Sequence, residues 1–117
     1  MHVETIFRAM RVFLAVACLA AAPLAAHAQD VVDVRIVARD GKLEPTEVAV
    51  PAGKRIRIEI SNEEKKAIEF ESKSLKVEKV IAPGARATVT VAPLKAGEYV
   101  FVDEFNEKNA RGKLIAK

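Results

Sequence analysis

Carboxylates are the most concentrated chemical groups of this sequence, and they stand in two clusters. The first cluster falls within ten residues in the middle of the chain, and the second within five residues near the C-terminus. The first contains Glu69, Glu71 and Glu78, and the second contains Asp103, Glu104 and Glu107 together with the amide of Asn106. Carboxylate oxygens prefer hard cations, so these residues offer the chemistry of ferric iron or manganese binding rather than of Cu(I) binding.

Sulfur and imidazole are confined to the N-terminal 28 residues. The single cysteine, two histidines and two methionines of the chain are Met1, His2, Met10, Cys18 and His27. A mature chain that begins at Gln29 contains no thiolate, imidazole or thioether. Ser61, Ser72 and Ser74 then lack a histidine base, and no cysteine nucleophile is present, so covalent catalysis is not expected.

The first 28 residues have the segments of an export signal. Arg8 and Arg11 make the N-terminus mildly positive, residues 12–22 form an apolar core too short to span a bilayer, and small residues precede a predicted cleavage after Ala28. The sequence therefore predicts export through the general secretory pathway to the periplasm, with no stable membrane span after cleavage. An uncleaved anchor and a lipoprotein modified at Cys18 are the alternatives.

Residues 29–117 have the length of one domain. Without the charges of the export signal, the net charge of this domain is about +2. Basic residues alternate with acids, as on a solvated sheet face, so a nucleic-acid surface is not expected. A domain this small without cysteine depends on its hydrophobic core for stability.

Apolar residues alternate with polar ones along most of the domain, which is the period of a β-strand. Clear examples are residues 32–38 and 56–60, and turns such as Pro51-Ala52-Gly53 and Pro83-Gly84 separate the strands. Seven or eight short strands are typical of a sandwich or a small barrel. One helical turn is predicted within residues 72–76.

Two segments resemble the cupredoxins. Residues 43–53, which read LEPTEVAVPAG, resemble the early strand pair of that family and lead into a long strand that ends at Asn62. Residues 97–102, which read GEYVFV, resemble its last hairpin together with Gly112-Lys113-Leu114. The resemblance covers residues 31–117 and implies an all-β fold, a Greek-key β-sandwich of seven or eight strands.

Two further stretches, residues 69–84 and residues 92–99, are most similar to EfeO-type cupredoxin-like domains. That group includes single-domain periplasmic proteins associated with bacterial ferrous-iron transport. The resemblance implies a periplasmic accessory protein of an iron or other metal uptake system. Its expected partner is an inner-membrane iron permease or a second periplasmic iron protein.

The resemblance also locates the type-1 copper positions of the family, and none of them keeps its ligand. The two histidine positions correspond to Ile68 and Asn106, the cysteine position to Asp103, and the methionine position to Ala110. A blue-copper centre needs two histidines and a cysteine thiolate with a distant axial methionine. The sequence therefore predicts that this protein holds no blue copper.

The acidic residues are the remaining candidates for metal ligands. The implied fold places the 103–107 loop at the same end of the sandwich as residues 69–78. Lysines are also close in sequence, and the competing interpretation is a solvated surface whose ion pairs contribute about 0–1 kcal/mol each. The expected oxygen ligands of iron or copper are Glu71, Glu78, Asp103 and Glu104, with Glu69, Asn106 and Glu107 as second choices.

One function of another class remains open. A metal-free interaction module would dock to an envelope partner through residues 103–110, where Phe105 is the lone aromatic residue of a charged loop. Glu69 and Glu71 could in principle serve as an acid and base pair of the glycosidase kind, but the same spacing arises by chance on an exposed strand face, so this chemistry is not expected. No catalytic residue is assigned, and the nearest enzymatic role is assistance in oxidising ferrous iron.

Overall fold

The computed structural model describes residues 30–117. The predicted export signal, its cleavage site at Ala28 and the alternative lipidation site Cys18 lie outside the described residues. Within residues 30–117 no helix is long and apolar enough to cross a membrane. The strands are β1 (Val31–Arg39), β2 (Lys42–Glu44), β3 (Glu47–Val50), β4 (Arg55–Asn62), β5 (Ile68–Ser72), β6 (Val77–Ile81), β7 (Arg86–Val91), β8 (Gly97–Asp103) and β9 (Arg111–Ala116), and a 3-10 helix, Glu104–Asn106, follows β8.

The strands form two sheets that pack against each other. One sheet has four strands in the order β2-β1-β4-β7, and the other has five strands in the order β3-β9-β8-β5-β6. Neighbouring strands are antiparallel except for two parallel pairs, β1 with β4 and β3 with β9. The all-β sandwich that the sequence predicts is confirmed.

Two local features differ from the sequence prediction. The described residues form nine strands rather than seven or eight, because Lys42–Glu44 pairs with the end of β1 as a separate short strand. Residues 73–76 form a turn and no helix, because Lys76 adopts a φ of 55° that a right-handed helix does not allow. This turn returns the chain so that β6 pairs antiparallel with β5.

The core lies between the inward faces of the two sheets. Phe70 of β5 and Phe101 of β8 are fully buried there, with their ring centroids 5.5 Å apart. Gly112 of β9 provides the space for this pair, since a Cβ atom at that position would lie 2.6 Å from Phe101 Cζ and 2.7 Å from the carbonyl oxygen of Thr46. The packing of the two rings fixes β5 and β8 as neighbouring strands.

Asn62 ends β4, as the sequence predicts, and holds the connection to β5. Its buried Nδ2 donates hydrogen bonds to the carbonyl oxygens of Lys66 and Ile81 at 2.9 and 3.0 Å. Its Oδ1 accepts a hydrogen bond from the backbone N–H of Glu64 at 2.9 Å. Because these bonds fix residues 62–66, they set where β5 begins and which of its side chains point outward.

Candidate metal centre

Strand β5 directs its glutamates to the outer face of the five-stranded sheet. Ile68, Phe70 and Ser72 are buried on the inward face, so Glu69 and Glu71 alternate outward between them. This alternation follows from the sequence IEFES, in which every second residue is acidic.

Strand β6 brings a third glutamate to the same face. In the antiparallel pairing of β5 with β6, Glu71 lies opposite Glu78 and Glu69 lies opposite Val80. Residues directly opposite in such a pair share one face of the sheet, so Glu78 lies beside Glu71 and diagonal to Glu69. Like charges at these positions repel each other unless a proton or a cation intervenes.

Glu104 completes the group from a different part of the chain. It begins the 3-10 helix directly after β8, and this helix contacts β5. One carboxylate oxygen from each of Glu69, Glu78 and Glu104 lies within 4.8 Å of the other two. We call these three residues the carboxylate triad. Glu71 adjoins the triad because it lies directly opposite Glu78.

Crowding of the carboxylates raises two pKa values. The pKa of Glu69 rises from 4.5 to about 7, first through the hydrogen bond with Glu78 and then through desolvation and the charge of Glu104. The pKa of Glu71 is also raised, first through its hydrogen bond with Glu104 and then through desolvation. None of the ion pairs formed by residues 30–117 includes a member of the triad. The raised pKa of Glu69 therefore reflects neighbouring carboxylates that no lysine or arginine among residues 30–117 neutralises within 4.0 Å.

Asp103, an expected ligand, lies apart from the triad and points inward. Its side chain is buried, with the residue only 4% exposed. Its Oδ1 accepts hydrogen bonds from the backbone N–H groups of Glu69 at 2.9 Å and of Phe105 at 3.1 Å. Asp103 thus caps the 3-10 helix and links it to β5, which positions two of the triad residues, Glu69 and Glu104.

Asn106 and Glu107, the second-choice residues of the loop, also lie outside the triad. Asn106 Nδ2 donates to the carbonyl oxygen of Gly41 at 3.0 Å, and Asn106 Oδ1 accepts from Asn109 Nδ2 at 3.1 Å. Glu107 instead lines a cavity on the outer face together with Arg111. The Nδ2 group of Asn106 therefore holds the loop to the β1–β2 turn, and its Oδ1 forms a bond within the loop.

The comparison with known proteins identifies the family. Residues 10–116 match the sequence profile of the cupredoxin-like domain. This chain belongs to the cupredoxin-like family. An uncharacterized protein of Rickettsia prowazekii (strain Madrid E) is 35% identical to this cupredoxin-like chain over 86 residues, which cover 74% of the chain and 69% of the relative.

Solved structures with the same fold include copper proteins. Auracyanin A, a blue copper protein of Chloroflexus aurantiacus, matches with a TM-score of 0.64 and 15% identity over 75% of this chain and all of that protein. The metal-binding domain of the Cu(I)-exporting P-type ATPase CopA of Streptococcus pneumoniae, solved with Cu(I), matches with a TM-score of 0.66 and 13% identity over 76% of this chain and 97% of that domain. At these identities the likeness establishes the fold alone.

Ile68, Asp103, Asn106 and Ala110, which the resemblance predicts to stand at the copper-ligand positions, lie in connected segments at one end of this sandwich. Asp103 N donates to the carbonyl oxygen of Ala110, and Ala110 N donates to that of Asn106, each at 2.9 Å. Ile68 precedes Glu69, whose N–H is bound by Asp103. Ile68 and Ala110 are buried and apolar. This end of the cupredoxin-like domain therefore presents two apolar side chains, a committed amide and a capping carboxylate, with no sulfur or imidazole.

The carboxylate triad offers different chemistry at a different place in this cupredoxin-like domain. Three monodentate oxygens on one side of an ion would leave the opposite side open to water or to a ligand of a partner, as hard cations commonly accept. Asp103 is an expected ligand and Glu69 a second choice, and of these two only Glu69 lies in the carboxylate triad. The signal that distinguishes them is strand parity: Asp103 stands two residues after Phe101 on β8, so both point inward.

Proposed function

We propose that this cupredoxin-like protein binds a hard cation, iron or manganese in the first instance, through the carboxylate triad of Glu69, Glu78 and Glu104. Its role is that of an accessory protein in a metal uptake system of the bacterial envelope. The observation that carries this proposal is the approach of three carboxylate oxygens, from three separate elements, to within 4.8 Å of one another.

The electrostatics of the triad support the proposal. Because the neighbouring carboxylates of Glu78 and Glu104 raise the pKa of Glu69 to about 7, ionisation of Glu69 beside them is unfavourable at neutral pH. A divalent or trivalent cation replaces the proton of Glu69 and removes the repulsion. Binding is therefore expected to release protons and to strengthen as pH rises above neutrality.

The ligand type supports a hard ion over Cu(I). Residues 30–117 contain no cysteine, histidine or methionine, which are the ligands that select copper in cupredoxins. Copper(II) held by oxygen atoms is compatible with the triad, whereas a sulfur-ligated blue centre is not.

The proposed setting is the periplasm, reached through the general secretory pathway. It rests on the export-signal pattern of residues 1–28 and on the similarity of residues 69–84 and 92–99 to the iron-transport-associated domains of the family. In this setting the protein would hand its ion to an inner-membrane permease or receive it from a second periplasmic iron protein. The exposed position of the triad at the sheet edge suits transfer of an ion between proteins.

Isothermal titration of the apo protein with Mn²⁺ tests the binding function. The wild type is expected to take up one Mn²⁺ with release of protons, and the double variant Glu78→Gln with Glu104→Gln is expected to lose that binding. Glu59→Gln, which removes one carboxylate from β4 of the other sheet, is the matched control and should bind as the wild type does. Equal binding by the wild type and the double variant would contradict the proposal.

A second function has one supporting observation. Phe105, in the 3-10 helix, is 55% exposed although it is a large aromatic residue. An interaction module without metal would use this side chain as its anchor in the 103–110 loop. Two results together would favour this function over the first. The wild type would bind no Mn²⁺, and an envelope protein that the wild type binds would no longer bind the Phe105→Ser variant.

A further inference from the structure

One row of side chains across the five-stranded sheet changes charge from one side to the other. Val102 of β8 lies opposite Arg111 of β9 on one side and opposite Glu71 of β5 on the other. Glu71 in turn lies opposite Glu78 of β6. Directly opposite residues share a face, so this row reads, from β9 to β6, one cation, one apolar residue and two carboxylates.

The middle of the same outer face is apolar and open. Val100 of β8 is 45% exposed and Val80 of β6 is 58% exposed. Val100 and Val102 form the floor of a cavity of about 370 Å³ on this face. Charged and polar residues surround that floor: Glu71, Lys73, Ser74, Glu98, Glu107 and Arg111.

The charges on the two sides of this apolar strip lack partners in the described part of the chain. Arg111 has no carboxylate within 4.0 Å among residues 30–117, and the same range supplies no lysine or arginine within that distance of Glu71 or Glu78. The neighbouring Lys113, in contrast, is already paired with Glu98 at 3.0 Å. Each side of the row therefore presents a charge that a complementary surface could neutralise.

We propose that this face, the outer surface of β9, β8 and β5, is the interface of a homodimer. A two-fold axis parallel to β8 exchanges the two sides of the sheet. Under that operation Arg111 of each copy meets Glu71 of the other, and Val102 packs against its own equivalent. The row is self-complementary, as an interface that uses the same patch on both subunits requires.

The size of the face sets the expected strength of the dimer. The three strands β9, β8 and β5 at about 4.8 Å spacing, and a seven-residue central strand at about 3.4 Å per residue, give a face of roughly 14 by 24 Å. That corresponds to roughly 350 Å² per copy, which is the size of a weak, transient contact. The dimer is therefore reversible, with a dissociation constant of about micromolar or weaker, and it weakens as salt rises.

Sedimentation velocity of the purified full chain, over a range of concentrations at low and high salt, tests the interface through a charge exchange. Arg111→Glu alone places two acids opposite each other in the dimer, and Glu71→Arg alone places two arginines opposite each other. Each variant is expected to raise the dissociation constant at least about tenfold. An equimolar mixture of the two restores both attractive pairs, so a heterodimer of about wild-type affinity is expected.

Arg35→Glu is the matched control, because it makes the same charge change on the outward side of β1 in the other sheet and should leave the dimer intact. Circular dichroism confirms that each variant is folded, and Arg111→Ala provides a second, milder variant. Mn²⁺ binding by Arg111→Glu, which keeps every triad residue, separates loss of the dimer from loss of the metal site. A wild type that is monomeric at all concentrations, or a mixture that fails to regain the dimer, would overturn the proposal.

Discussion

Asp103 is predicted to act as a positioning residue, and its replacement separates that role from a ligand role. Asp103→Ala removes the acceptor of two backbone hydrogen bonds, from Glu69 at 2.9 Å and from Phe105 at 3.1 Å. Loss of a helix cap costs about 1 kcal/mol. The second N–H, from Glu69, is left without its partner beside a buried position, which costs about 1–3 kcal/mol.

The free energy of unfolding is therefore expected to fall by roughly 2–4 kcal/mol, which lowers the melting temperature of a domain of this size by roughly 10–25 °C. Urea denaturation followed by circular dichroism measures this change as a shift of the midpoint at constant slope. Asp103→Asn is the companion variant, because its amide oxygen can accept the same two hydrogen bonds. It should lose about 1 kcal/mol or less.

Mn²⁺ affinity supplies the readout that stability alone does not. Because Asp103 holds Glu69 and Glu104 in place without joining them, Asp103→Asn should retain Mn²⁺ affinity within about threefold of the wild type. A loss of more than about tenfold in a variant of near-native stability would identify Asp103 as a ligand. If instead Asp103→Ala unfolds at the wild-type urea concentration, the capping role derived from its two hydrogen bonds is wrong.

Three further predictions follow from the core, the triad and the copper positions. Gly112→Ala should lower the free energy of unfolding by roughly 1–3 kcal/mol or more, because its Cβ would lie 2.6 Å from Phe101. Gly53→Ala meets no atom within 4 Å and should lose only about 1 kcal/mol, through its φ of 79°. Equal urea midpoints for the two variants would refute this difference. Because the pKa of Glu69 is raised from 4.5 to about 7 on folding, the free energy of unfolding should decline as pH rises from about 4.5 to about 7. Glu78→Gln should flatten this decline, as measured by urea titration. A free energy of unfolding that rises over the same pH range would contradict the prediction. Addition of Cu(II) to the protein without its first 28 residues should produce no intense blue charge-transfer band in the visible spectrum, and appearance of that band would show a sulfur ligand.

Much of the fold could be predicted from the sequence because apolar and polar residues alternate along most of its strands. Ile56, Ile58 and Ile60 alternate with charged residues and become the inward face of β4, as expected. Strand β2 was not predicted, because three residues are too few to show the alternation of apolar and polar residues that marks a strand. The turn at residues 73–76 could not be predicted, because a lysine side chain gives no indication that the φ of Lys76 is positive.

The candidate site could be predicted only in part, for a related reason. The sequence shows which residues are acidic, and the predicted strands indicate that Glu71 and Glu78 share a region. Which acids converge depends on the register of β5 with β6 and on the inward turn at the end of β8. That register places Glu69 diagonal to Glu78. The end of β8 brings Glu104 close to both and leaves Asp103 on the opposite side of the sheet.

The most direct test of the carboxylate triad is a crystal structure of the protein soaked in Mn²⁺, with anomalous diffraction collected to locate the ion. One anomalous peak is expected on the outer face of β5 and β6, roughly 2–2.6 Å from oxygens of Glu69, Glu78 and Glu104, which is the distance range of hard cations on oxygen ligands. An absence of density between these side chains at saturating Mn²⁺, or a peak located instead among Ile68, Asp103, Asn106 and Ala110, would contradict it.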